Sequence, residues 1–145
     1  MDGVFLARFG QRLHECGKAA QYAIPRGGID VGEYIYRTQE DSPSVPCACG
    51  RSTRIITRED TPVANVHVTS ITDSRKHYHK EVTEFYYVLG GAGEMELGKD
   101  VVELKLGVTI LIPPGLAHRA YGDVKCLIVG VPAWKHDDEF FCEEG

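Results

Sequence analysis

His77, His79, Glu84 and His118 bring imidazole and carboxylate donors, the groups that hold divalent transition metals, into two short segments of the chain. Side chains two apart on a strand point to one face, so His77 and His79 can offer their rings to the same ion. Glu84 has the wrong parity for one continuous strand. For its carboxylate to join the histidines, the chain must bend or bulge across the polar stretch 80–83. Beyond such a bend Glu84, Tyr86 and Val88 share a face. Glu81 keeps parity with both histidines and is the rival carboxylate; parity alone favours it. His118 follows the Pro113-Pro114-Gly115 turn and enters from a separate strand. Three imidazoles and one carboxylate suit Fe, Mn, Ni, Co or Zn as the divalent ion, and donor type does not choose among them. An octahedral ion would keep open positions at which water, a carbonyl, a hydroxyl or, on a redox-active metal, dioxygen could be activated. Tyr86, expected to face inward beside Glu84, is the candidate catalytic hydroxyl; its alternative is an ordinary core aromatic.

Both segments resemble the cupin family. Its first motif, G-x5-H-x-H-x3-4-E-x6-G, is matched by His77, His79, Glu84 and Gly91, and its second, G-x5-P-x-G-x2-H-x3-N, by Gly107, Pro113, Gly115 and His118. Ile71 stands where the first motif begins with glycine, and Gly122 where the second ends with asparagine; neither position is a ligand in the family. The resemblance covers roughly residues 60–132. It implies an all-β, cupin-type antiparallel barrel or jelly roll with Glu84, not Glu81, as the carboxylate ligand. It also implies a homodimer formed through sheet faces. Metal-dependent enzymes of the dioxygenase, decarboxylase and sugar-phosphate isomerase kinds belong to this family, and so do non-catalytic modules that bind or sense small molecules such as sugars.

The elements that must position these residues are legible as short apolar runs separated by turns. Strands are expected over 53–57, 64–72, 76–79, 84–89, 93–97, 101–105, 108–112, 117–121 and 125–131. Gly90-Gly91, Gly98, Gly107, Pro113-Pro114-Gly115 and Gly122-Asp123 punctuate them. Val102, Leu104 and Leu106 alternate with Val101, Glu103 and Lys105, the pattern of a strand with one wet face. The nearly continuous apolar runs 108–112 and 126–131 suit a barrel core or a strand covered by a second subunit. Residues 1–59 read as an N-terminal extension. Phe5, Leu6, Phe9 and Leu13 predict a short amphipathic helix within 1–25, followed by a strand over 30–37 and a long loop over 38–50. Residues 60–132 are the barrel and 133–145 an acidic, solvated tail, all in one structural domain.

Composition narrows the partners. A chain of 145 residues is long enough to bury a core, and a formal charge of -5 with no basic run argues against a nucleic-acid surface. A small molecule is the expected partner. No apolar run reaches the length of a membrane span, and the beginning lacks a signal peptide's apolar core, which makes a cytoplasmic location the default. The odd set Cys16, Cys47, Cys49, Cys126 and Cys142 reads as free thiols. Cys47-Ala48-Cys49 could bind zinc or cycle as a redox pair, but no second pair stands at ligand spacing, and a plain loop is the simpler reading. His14 and His67 read as ordinary hydrogen-bonded residues, and His136 as part of the tail.

Overall fold

The segment 84–89 alternates strictly: Glu84, Tyr86 and Val88 are buried, while Phe85, Tyr87 and Leu89 are exposed. That period of two is what a pleated strand with one face on a core requires. The computed structural model describes residues 29–30 and 34–143. In chain order its strands are β1 (Ile29–Asp30), β2 (Ile35–Tyr36), β3 (Ser44–Cys47), β4 (Gly50–Ile56), β5 (Asn65–Asp73), β6 (His77–Tyr78), β7 (Thr83–Leu97), β8 (Asp100–Lys105), β9 (Thr109–Ile112), β10 (His118–Val131) and β11 (Phe140–Phe141). A 3-10 turn covers His136–Asp138. The amphipathic helix expected within 1–25, with His14 and Cys16, lies outside the described residues. No helix among the described residues is long and apolar enough to cross a membrane.

β1 pairs with β2 in a small antiparallel sheet, so the single strand expected over 30–37 is instead two short ones. The remaining nine strands form one antiparallel sheet in the order β11-β6-β10-β5-β4-β3, with β7 pairing β10 and carrying β8 and β9. This is the all-β barrel architecture the sequence predicts. β10 is its spine, paired with β5, β6 and β7. The inner face encloses Ile71, Tyr86, Val88, Met95, Leu104, Ile112, Ala120, Val124, Cys126 and Ile128. Val88, Met95 and Leu104 are fully buried, and each such side chain contributes about 1.5–3 kcal/mol through the hydrophobic effect. Ile71 therefore stands in its motif position as a core residue.

Two expected breaks are absent. Gly90-Gly91 does not separate strands; β7 runs on through it, with a register shift at Leu89 opposite Lys125 and Cys126. Gly122-Asp123 likewise lies inside β10, at a second irregularity against β5. Both are corners where the sheet bends, and glycine is needed because backbones nearly touch. Gly91 has φ 79°, and a β-carbon on it would collide with the Asp123 carbonyl. Gly122 has φ 119°, and its β-carbon would fall 2.6 Å from the Gly93 Cα. The asparagine of the family motif has been replaced at a position where a side chain would clash.

The expected loop 38–50 contains β3, which forms a tight hairpin with β4 through Ala48 and Cys49. Upstream, Arg37 clamps this part of the chain to the barrel. Its guanidinium donates to both oxygens of Asp60, at 2.6 and 2.7 Å, and to the Ile55 carbonyl at 3.0 Å. The hydrogen bonds from Arg37 chiefly, with the Thr57 amide, lower the Asp60 pKa from 3.8 to about 2. A carboxyl depressed in the folded state stabilises it above the unfolded pKa and loses that contribution as pH falls through the folded one. The stability difference between wild type and Asp60→Asn, followed by denaturant unfolding, should be constant above pH 4 and vanish as the pH approaches 2.

Candidate metal centre

His77 and His118 are cross-strand neighbours, registered Cα to Cα between β6 and β10, and that pairing brings the two sequence segments together. A second tie runs between the same segments. The Gly115 amide of the Pro113-Pro114-Gly115 turn donates to the His79 carbonyl at 2.6 Å. All four donor residues are buried.

Each imidazole is oriented by its far nitrogen. Nδ1 of His77 lies 2.8 Å from the Arg75 carbonyl, Nδ1 of His79 2.7 Å from that of Asp138, and Nδ1 of His118 3.0 Å from that of Leu116. A carbonyl only accepts, so all three rings carry a proton on Nδ1, and in each neutral ring Nε2 is left as an inward-facing lone pair. Nε2 of His118 is 3.1 Å and Nε2 of His79 3.6 Å from Oε2 of Glu84. Yet Glu84 Oε2 and His118 Nε2 are fully buried with no hydrogen-bond partner. Buried polar atoms are rarely left so; here lone pairs converge on a common point. One ligand atom from each of the four residues lies within 4.8 Å of all the others, and together they could hold a metal ion. Two ligands at about 2.1 Å from one ion are at most about 4.2 Å apart, so modest closure suffices.

The electrostatics agree with that arrangement. Burial pushes the Glu84 carboxyl up, but adjoining His118 and the charges of His79 and His77 outweigh it and hold the group below the usual carboxylate range. Burial first, then His118, pushes His77 down to about 4, which keeps it neutral and able to ligate. Burial opposes protonation of His118, but Glu84 beside it raises the pKa.

The bend demanded by parity is present and has a specific support. Between β6 and β7 the chain leaves the sheet, and the Asp138 carboxylate accepts from the amides of Lys80 at 3.0 Å, Glu81 at 3.1 Å and Val82 at 3.1 Å. Glu84 is turned inward as a result. Glu81 faces the other way, pairing with Lys135 at 2.9 Å on the exposed surface. Asp138 is 2% exposed, so the solvated tail expected over 133–145 describes His136 and Asp137 but not the segment they belong to. Ala133 is buried, Trp134 donates to Asn65 at 2.7 Å, and β11 pairs with β6, stacking Phe140 on Tyr78.

A cavity of about 230 Å³ opens over His77, His79 and Glu84. Tyr86 lines it, its ring 6.3 Å from that of His118. Burial above all, then Glu84, raises its pKa well above the ordinary value, so it remains a neutral phenol. Cys47 and Cys49 also line the cavity as free thiols, from the β3–β4 hairpin and not from a long loop. Arg54, His67 and Trp134 border it, and so does Glu139, whose Oε1 is 3.9 Å from Nε2 of His77. Burial chiefly, with the charge of Glu84, raises the Glu139 carboxyl. Glu139 and Asp138 were not visible as site residues because they arrive from a distant segment with no spacing relation to the motifs.

Fold and site together define an all-β barrel whose interior carries a three-histidine, one-carboxylate cluster. Residues 66–129 match the family model described as the cupin domain, and the chain belongs to the cupin family. An uncharacterized protein of Methanocaldococcus jannaschii is 42% identical over 79 residues, which span 52% of this chain and 62% of that relative. The crystal structure of a protein from Planctomyces limnophilus is similar at 30% identity and a TM-score of 0.68, over 72% of this chain and 94% of the other. Pac13, a nucleoside dehydratase of Streptomyces, shares the fold at 21% identity and a TM-score of 0.66, over 73% of this chain and 88% of its own.

Asp138 supplies the acceptor for three otherwise unpaired amides. Asp138→Ala should cost about 3 kcal/mol of stability in denaturant unfolding, whereas Asp137→Ala, at a side chain 79% exposed, should change it by less than about 0.5 kcal/mol.

Proposed function

We propose that the chain is a metal-dependent enzyme acting on a small oxygenated metabolite, with one divalent transition metal held by His77, His79, Glu84 and His118. The observation that carries this reading is the pair of buried, partnerless ligand atoms, Glu84 Oε2 and His118 Nε2, within a quartet whose rings are already in the ligating tautomer. Fe, Mn, Ni, Co and Zn all fit the donor set. When bound, such an ion supplies Lewis acidity and, if redox-active, dioxygen chemistry, the isomerase-like and oxygenase-like options. The remaining work falls to the chain. Tyr86 offers a neutral phenol at the cavity wall as hydrogen-bond donor to a substrate oxygen, and the Glu139 carboxyl is placed beside His77 to take or give a proton. A module that only bound or sensed a metabolite would not need that carboxyl at the metal quartet, which favours the enzyme.

We also propose a homodimer. Phe85, Tyr87 and Leu89 of β7 and Leu111 of β9 leave an apolar strip on the outer sheet face, each at least 38% exposed, with Phe85 registered against Leu111. Large exposed apolar strips of this kind mark interfaces.

Elemental analysis of untagged protein prepared without chelator should find close to one equivalent of metal per chain. Glu84→Ala and His118→Ala should lose it and Glu81→Ala should keep it; the opposite result for the two glutamates would reverse the ligand assignment. Light scattering should give a dimer mass for wild type and a monomer mass for Phe85→Glu/Leu111→Glu, and a monomeric wild type would contradict the dimer.

A further inference from the structure

Arg54 sits on the inward face of β4, registered with His67 of β5. Its row continues through Ile128 of β10 to Tyr86 of β7, two residues beyond Glu84 on the same face. The cavity over the metal quartet is thus walled on its far side by a cation. Arg37 pairs with Asp60, Arg119 with Asp73, and Arg58 donates to the Ala133 carbonyl; Arg75, away from this cavity's lining, lies over the Phe141 ring. The Arg54 guanidinium has neither a carboxylate nor a hydrogen-bond acceptor among the described residues, and its Nε is buried with no partner. The Trp134 ring lies 5.6 Å from its Cζ, which orients the group without neutralising it. The charge is felt inside the cavity. Burial first, then Arg54, pushes His67 down to about 4, so that ring adds no positive charge at neutral pH.

A planar fork of donors at a cavity wall, with Nε desolvated and no partner among the described residues, matches the oxygens of a carboxylate or phosphate. We propose that Arg54 is the anion-recognition residue of this cavity, and that the metabolite bound there carries a carboxylate or phosphate at the end remote from His77, His79 and Glu84. The position of that remote end rests on the metal reading; the anion site itself does not require metal.

The test uses the full chain, stripped of metal by chelator, and follows thermal unfolding against added inorganic phosphate or sodium acetate at matched ionic strength. At least one anion should raise the wild-type midpoint, as any ligand of the folded state does, and which one does so separates phosphate from carboxylate recognition. Arg54→Gln should weaken that apparent affinity by about tenfold or more, and Arg54→Lys, which keeps the charge but not the fork, should fall between. If Arg54→Gln does not fold, a weakened response in Arg54→Lys with an unchanged circular dichroism spectrum decides the matter. No response of wild type to either anion, or an undiminished response in the variants, overturns the proposal. Metal content, measured separately on unstripped protein, reports on the metal reading alone.

Discussion

Three buried rings donate Nδ1–H to main-chain carbonyls, and almost everything else about the centre depends on that constraint. A ring free to flip could satisfy itself by donating from Nε2 to Glu84, and the site would close as an ordinary hydrogen-bonded core. With Arg75, Asp138 and Leu116 holding the far nitrogens, Nε2 of a neutral ring has only a lone pair to offer, and neutral His118 gives Glu84 no proton donor despite a separation of 3.1 Å. The folded chain therefore retains two desolvated polar atoms without partners, a cost that a bound cation would offset.

Those carbonyls come from three parts of the chain, and the sheet brings them together. β10 delivers His118 opposite His77, while the C-terminal segment folds back so that Asp138 serves twice. Its carbonyl orients His79, and its carboxylate holds the bend that turns Glu84 inward. The glycine corners at Gly91 and Gly122 allow β7 and β10 to curl without breaking, which keeps the inner face continuous from the quartet to the apolar core. On this scaffold the quartet lies at one side of the cavity and Arg54 at the other, so the interior has chemical polarity as well as shape.

Local rules were enough to read much of this from sequence. Short apolar runs bounded by turn residues located nearly every barrel strand, and strand parity alone required a bend between His79 and Glu84. Parity could not choose between Glu81 and Glu84, because the choice depends on the bend, and the bend is held by Asp138 from 56 or more residues away. Gly90-Gly91 and Gly122-Asp123 suggest turns because glycine signals a sharp turn and a close backbone approach equally well. The β3–β4 hairpin was hidden by Pro43, Pro46 and two cysteines, which look like loop. Acidic composition made 133–143 look solvated, although Ala133, Asp138 and the Phe140–Tyr78 stack are packed. Arg54 and Glu139 carry no motif, and only the folded register places them at the cavity.

The central claim is that His77, His79 and His118 are fixed as Nδ1–H tautomers with Nε2 reserved for a cation. Long-range proton–nitrogen correlation NMR of the histidine rings, recorded on metal-free protein and again after zinc addition, reads this directly. The account predicts three rings protonated at Nδ1 before addition and a selective shift of their three Nε2 resonances afterwards. A ring protonated at Nε2 in the metal-free protein, or zinc-induced shifts at Nδ1 instead, would contradict it.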